Sequence, residues 1–193
     1  MTVKMIIAVD EGNSIGWRSG ELPWKIQPDM QRFKDLTMGH TVLMGRKTFE
    51  SLKRPEGLEN RHNVVISNSR PSSEPGDPQP HWFRDGKDSL RTYIQTHQAC
   101  LGCTPPDLWI IGGAQIYDQA IRLKLVDEIY LTQVDTLSGG DVTLPFDLYS
   151  WKLFAIRQRS EGVHWEMVSC EIPPVPLDCP KIAFIKFKKV PNA

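Results

Sequence analysis

The order in which short apolar runs alternate with helical segments constrains this chain's fold more than any other feature. Val3–Val9 is an apolar run of strand length, and Pro28–Met38 follows it with helical spacing. Thr41–Met44 reads as a strand and Lys47–Leu52 as a helix. His62–Ser67 holds Val64-Val65-Ile66, a buried strand, and Lys87–His97 is helical, with Leu90 and Ile94 four apart. Leu108–Ile111, the pair Gly112-Gly113 and a helix carrying Ile116, Ala120 and Leu123 repeat the unit, and Asp127–Val134 adds a strand. Strands and helices in this order imply a largely parallel sheet covered by helices, an α/β fold.

The tail changes character. Trp151–Arg159, Val163–Glu171 and Ile182–Lys188 have no helix between them, and an apolar/polar alternation begins at Phe184 and Lys186. We read all three as antiparallel strands closing one edge. Arg70–Pro80 and Ile172–Pro180 hold eight of the fifteen prolines, which makes them loops or edge decorations, since proline removes ladder donors. The 193 residues suit a single domain, 1–193, that buries roughly 70% of its unfolded surface.

Bulk properties narrow the function. Lys plus Arg and Asp plus Glu balance at 23 each, so charge alone argues for neither a nucleic-acid nor a membrane partner. No apolar run approaches the ~20 residues of a membrane span, and Met1–Asp10 is too short in its apolar part for a secretory signal. We expect a cytoplasmic protein and a monomer. Cys100 and Cys103 form a C-x-x-C pair, but Cys170 and Cys179 lack the spacing of a second pair. Free thiols are expected, and no metal site.

Several residues carry potential chemistry. Asp29 lies in the first turn of the Pro28 helix, and Phe33 and Leu36 share its stripe at steps of four and seven. Leu22-Pro23-Trp24 runs up to it as a stiff apolar approach. Such an acid is either a helix-end charge favoured by the macrodipole or a proton donor in a hydrophobic cleft. Met44-Gly45-Arg46-Lys47-Thr48 is either a phosphate-friendly turn or an ordinary solvated helix start. Gly112-Gly113 marks an unusual backbone geometry, a close approach to a flat ligand, or a simple tight turn. Ser67-Asn68-Ser69-Arg70 could hold a phosphate monoester or form a plain turn. The dinucleotide fingerprint G-x-G-x-x-G is absent.

Taken together, the chain resembles dihydrofolate reductase. The resemblance rests on Ile15-Gly16, Leu22-Pro23-Trp24, Asp29 with Phe33, Met44 through Ser51, Arg61, Ile111-Gly112-Gly113 with Tyr117, and Tyr130-Leu131-Thr132, in the family's order and near its spacings. It runs from about Met5 to about Pro145, with a final strand at Ile182–Lys188. It implies a sheet of about eight strands, mostly parallel, with an antiparallel C-terminal edge. It also implies reduction of 7,8-dihydrofolate to tetrahydrofolate with NADPH, hydride going to C6 and a proton to N5. Asp29 matches the active-site acid, and Trp24, Leu22 and Thr132 complete the catalytic set, with Trp24 and Thr132 positioning a water and the carboxylate. Ile6, Ala8, Phe33, Leu58 and Ile111 match positions around the substrate, and Arg61 matches the partner of the glutamate tail's α-carboxylate. The cofactor set comprises Ala8, Ile15, Gly16, Gly45, Arg46, Lys47, Thr48, Ser67, Asn68 and Ser69, then Gly112, Gly113, Ala114, Gln115, Ile116 and Tyr117. Gly112-Gly113 matches a pair joined by a cis peptide.

The chain also departs from the family. Trp17–Leu22, in the family's mobile lid, is about one residue longer than is common. Arg54–Arg61 is about two longer than Arg-Pro-Leu-Pro-Gly-Arg, although Leu58 still stands three before Arg61. Gln115 replaces a residue that is basic in many members, which would leave adenine-side phosphate contacts weaker or supplied from elsewhere. Two alternatives share the fold. A pyrimidine reductase of riboflavin synthesis should lack the Leu-Pro-Trp approach and the helix-head acid, and a non-catalytic module would bind pterin without oxidising NADPH.

Overall fold

Apolar residues on both sides of the pleat force most strands of this chain into the interior of one sheet. The computed structural model describes residues 1–68, 81–84, 89–98 and 107–191. In chain order the elements are β1 (Val3–Asp10), β2 (Ser14–Gly16), α1 (Gln27–Thr37), β3 (Thr41–Gly45), α2 (Arg46–Ser51), β4 (His62–Ser67), β5 (His81–Arg84) and α3 (Ser89–Gln98). Then come β6 (Leu108–Gly112), α4 (Ala114–Arg122), β7 (Glu128–Val134), β8 (Val142–Thr143), α5 (Trp151–Ser160), β9 (His164–Glu171) and β10 (Ile182–Val190).

Eight strands form one sheet in the order β5-β4-β3-β6-β1-β7-β10-β9. The first six run parallel, and β10 and β9 are antiparallel additions at one edge. β2 and β8 pair as a separate two-stranded ribbon. Alternation along β1 sends Met5, Ile7 and Val9 to one face and Ile6 to the other. The first face is covered by α3, α4 and α5 through Leu90, Ile94, Ile116, Ala120 and Phe154. The opposite face packs Val42, Met44, Val65 and Trp109 against Phe33 and Leu36 of α1 and Phe49 of α2. Two further ring contacts, Phe154 to Trp165 and Trp151 to Phe187, lock α5 onto the antiparallel edge.

The α/β architecture and the antiparallel edge match the sequence reading, with one correction. Trp151–Arg159 is not a strand; it lies in α5. The helical stripe is Trp151, Phe154, Ala155 and Gln158, at steps of three and four, with Phe154 and Gln158 buried. Burying Gln158 disguises that stripe, and exposed Leu153 and Ile156 add apolar residues off it. The structure adds three short strands, β2, β5 and β8, that apolar content did not mark. Ile172–Pro180 is a connection without strand or helix, whereas Arg70–Pro80, Cys100 and Cys103 lie outside the described residues. Cys170 and Cys179 are free thiols. Among the described residues no helix is long and apolar enough to cross a membrane.

Helix and strand make opposite forecasts for α5. A strand would place residues 154 and 156 on the same face; the helix separates them. Phe154→Ala should therefore cost about 3–5 kcal/mol and Ile156→Ala within about 0.5 kcal/mol, read from the midpoints of urea unfolding curves.

Candidate active site

Parallel strands end together, and here the carboxyl ends of β1, β3, β4, β6 and β7 gather the residues that carry chemistry. β1 lies between β6 and β7, with Ala8 opposite Thr132. β3 and β6 meet at Met44 and Gly112 through a shift in register. The first turn of α1 comes down over this edge. Its first helical residue is Gln27, one earlier than read from sequence, and Pro28 sits among positions whose N–H groups have no helical acceptor.

Asp29 in that turn accepts a hydrogen bond at Oδ1 from the Thr132 hydroxyl, 2.7 Å away. Burial raises its carboxyl above the ordinary range, and the Thr132 bond and the nearby Arg32 charge oppose that shift only in part. Arg32, one turn on, donates from Nη1 to Thr132 Oγ1 at 3.2 Å. Its guanidinium lies 4.3 Å from the Phe184 ring centroid and 5.7 Å from that of Tyr130. Sequence reading missed Arg32, although its spacing of three from Asp29 puts both on one helix face.

Trp24 is buried against Ile26, Val134 and Ile182, and its indole N–H has no acceptor among the described residues. Leu22, by contrast, is 52% exposed at the start of the approach. Ile6, Phe33, Leu58 and Ile111 share one apolar cluster, with Ala8 in the neighbouring one, and all but Ile6 stay partly open. They form an apolar wall beside the acid.

Arg61 stands at the end of the long loop after α2. Its Nε donates to Thr37 Oγ1 (3.1 Å), Nη1 to the Glu59 carbonyl (2.8 Å) and Nη2 to the Lys34 carbonyl (3.2 Å). Three of five N–H groups are thereby engaged, so the fork is fixed with donors to spare. Buried Asn63 holds this loop. It accepts from Leu58 N (2.9 Å) and donates to the carbonyls of Leu58 (2.8 Å) and Arg61 (3.1 Å). A Cβ on Gly57 (φ +78°) would meet the Asn63 amide carbon at 2.6 Å, so only glycine lets the loop pass.

On the other side of the wall, the Gly112–Gly113 peptide is cis. A Cβ on Gly113 would meet Thr48 Oγ1 at 3.2 Å, and one on Gly45 would meet Ile116 Cγ1 at 3.2 Å. Tyr117 is buried and donates to the Ile6 carbonyl at 2.7 Å; burial and then the Asp29 charge push its phenol well up. Gly45 and Gly113 start α2 and α4 without any side-chain cap, so backbone N–H groups of both helices stay available at this edge. Arg46 pairs with Glu50 at 2.8 Å, Lys47, Asn68 and Gln115 are exposed, and Ala114 is half-buried beside Gly113. Ser67 ends β4; Ser69 lies outside the described residues.

Ile15 and Gly16 belong to the β2–β8 ribbon. The segment after them folds on itself: Trp17 N bonds the Glu21 carbonyl and Gly20 N the Trp17 carbonyl, at 2.9 and 2.8 Å. The segment touches α2, with Gly20 against Ser51 and Glu21 3.1 Å from Lys53 Nζ just beyond the helix. Arg18 N bonds Asp141 Oδ1 at 2.7 Å. Asp10, buried at the end of β1, receives Ser14 N on Oδ1 and Ser138 N on Oδ2 at 2.8 and 2.9 Å.

Known proteins resemble this chain in sequence and in fold. The dihydrofolate reductase family model matches residues 2–170. The chain is 34% identical over 160 residues to the dihydrofolate reductase of Bacillus subtilis (strain 168), covering 82% of this chain and 85% of that protein. It is 35% identical over 160 residues to the bifunctional dihydrofolate reductase-thymidylate synthase of Paramecium tetraurelia, covering 83% of this chain but only 31% of that longer protein. Its fold is similar to that of a dihydrofolate reductase from Enterococcus faecalis solved with NADP(H) and RAB-propyl, with a TM-score of 0.73, 23% identity and 97% and 96% of the two chains covered.

The Asp29 environment has a consequence for stability. Its raised value means the folded protein keeps this proton at pH values where the unfolded chain has released it. The cost is absent below the unfolded carboxylate value and complete once pH has passed the folded value. Asp29→Asn keeps an oxygen for Thr132 and removes the charge. It should raise Tm at pH 7.5, by about 2–4 °C per kcal/mol relieved, with the gain vanishing as pH falls below about 4 in calorimetric scans.

Proposed function

The chain belongs to the dihydrofolate reductase family and reduces 7,8-dihydrofolate to tetrahydrofolate with NADPH, and on that premise we propose how its residues divide the work. One observation carries the reading: a carboxyl with raised proton affinity, held by Thr132 in an apolar cleft at the carboxyl edge of the sheet, next to a cis Gly-Gly pair.

Asp29 is the active-site acid. Reduction adds a hydride at C6 of the pterin and needs a proton at N5. A carboxyl in water is ionised at neutral pH; burial raises the proton affinity of Asp29 toward that range, and delivery by a positioned group is worth about 10²–10⁴ in rate. Thr132 orients the carboxyl, and Trp24 offers its buried N–H at the same cleft. Ile6, Ala8, Phe33, Leu58 and Ile111 exclude water from the ring, and Leu22 closes the approach. Arg61 meets the α-carboxylate of the glutamate tail with a guanidinium already fixed by Thr37, Glu59 and Lys34.

NADPH supplies the hydride, and the residues present fit it. Gly45 and Gly113 leave room where a Cβ would crowd Ile116 and Thr48 at 3.2 Å, and the uncapped starts of α2 and α4 offer N–H groups to phosphate. We assign Arg46, Lys47, Thr48, Ser67, Asn68 and Ser69 to the phosphates of the cofactor, and Ala8, Ile15, Gly16, Gly112, Gly113, Ala114, Gln115, Ile116 and Tyr117 to the rest of it. The pyrimidine reductase and the non-catalytic module are not favoured: the Leu-Pro-Trp approach and the helix-head acid are both present. Residues 1–193 act as one domain, since β1 at the centre of the sheet and β10 near the C-terminus flank the same strand, β7. A monomer in the cytoplasm is part of this reading.

Two measurements test it. Asp29→Asn should leave NADPH affinity within a few fold and lower turnover on dihydrofolate about 10²–10⁴-fold near neutral pH, with partial recovery on acidification; unchanged neutral-pH turnover would refute the proton-delivery role. Arg61→Lys should raise KM for dihydrofolate with little change in kcat, and Asn63→Ala should do the same more weakly while costing about 1–3 kcal/mol in urea. An equal effect of Arg61→Lys on a pterin lacking the glutamate tail would reassign the arginine.

A further inference from the structure

Arg32 is the one cation of α1 drawn into the cleft wall, and its placement has more structure than a surface charge needs. Its guanidinium is held between the rings of Tyr130 on β7 and Phe184 on β10. Burial lowers its proton affinity, but an arginine stays charged at any pH the protein meets. From that clamp Nη1 reaches Thr132 Oγ1 at 3.2 Å.

A hydroxyl has one proton to give and two lone pairs to offer. With a guanidinium N–H directed at one lone pair, the Thr132 proton cannot turn toward Arg32. It turns to Asp29 Oδ1, 2.7 Å away. Among the described residues no donor reaches Asp29 Oδ2. The other groups around this unit are accounted for: Tyr117 on α4 feels the Asp29 charge, and Tyr130 on β7 and Glu171 on β9 both face Arg32. No second cation stands beside the acid in that set.

We propose that Arg32 is a positioning residue for the acid, fixing the Thr132 hydroxyl so that Oδ1 is always the oxygen that accepts and Oδ2 the oxygen that carries the transferable proton. The arrangement also moderates the acid. Without the cation the carboxyl would hold its proton more tightly, and activity that requires the protonated form would persist to higher pH. The inference rests on Asp29 being the acid, yet it concerns the free protein and can be read there.

The test follows the Asp29 carboxyl by ¹³C NMR titration of the free protein, beside the pH profile of turnover. Arg32→Met should move the Asp29 midpoint up by about one pH unit and carry the alkaline limb of activity the same way. Arg32→Lys retains charge without the fork and should move it less than half as far. On a Thr132→Val background the Arg32→Met shift should shrink by at least half, because the route through the hydroxyl is gone. A midpoint unchanged in Arg32→Met, a Lys variant displaced as far as Met, or a full shift on the Val background would each overturn the proposal. Should Arg32→Met not fold, Arg32→Gln serves as the neutral variant with the same expectations. Failure of the acid assignment is separately visible, as Asp29→Asn retaining neutral-pH turnover whatever Arg32 does to the titration.

Discussion

Everything at the working edge depends on β1 being paired in parallel on both sides, to β6 and to β7. Parallel neighbours end at the same side of a sheet, so one pairing pattern delivers Ala8, Gly112 and Thr132 to a single line. Connections from that line must cross over through helices, and this puts the first turns of α2 and α4 at the same place. The acid comes from a different direction, at the head of α1, and one hydrogen bond to Thr132 ties it to the sheet. Of the two edge strands, β10 runs the opposite way and β9 brings its carboxyl end, at Glu171, level with Phe184. They supply Phe184, which backs the cation next to the acid.

The site is a place where stability is given up for chemistry. A carboxyl is removed from water with only a hydroxyl and a neighbouring guanidinium to compensate. Full compensation, such as a direct ion pair, would hold the proton affinity low and leave nothing to deliver at neutral pH. The chain instead routes the cation through a hydroxyl, which orients the acid while leaving burial as the dominant influence. Tyr117 shows the same economy: its phenol is spent on the Ile6 carbonyl, joining α4 to β1 behind the glycine pair.

Much of this was legible in the sequence because it is written in periodicity. The runs around Ile7, Val42, Val65 and Ile110 alternate with helical stripes, and that order alone fixes a parallel α/β sheet. Asp29 could be placed on the inward stripe by counting residues. Trp151–Arg159 could not be read correctly, since a buried glutamine broke the apolar stripe and exposed Leu153 and Ile156 suggested another. Arg32 was within reach at three residues from Asp29, but arginine on a helix usually means solvent, and nothing local reveals Phe184, far along the chain. The clamp by Asn63 on Leu58 and Arg61 was hidden for the same reason: a side chain bonding four backbone groups leaves no mark on spacing.

The ribbon made by β2 and β8 changes what kind of object the segment over the site is. Asp10 grips the root of one ribbon strand with one carboxylate oxygen and the approach to the other with its second, and Asp141 reaches across to Arg18. A Cβ on Gly140 would overlap Ser14 Oγ at 2.1 Å and the Gly16 carbonyl oxygen at 2.8 Å, so the two halves are closely packed. Residues 17–22 are therefore tied to residues 138–143, and any displacement of them has to carry that partner along or break these bonds, so a substitution at Gly140 bears on this segment from outside the acid's surroundings.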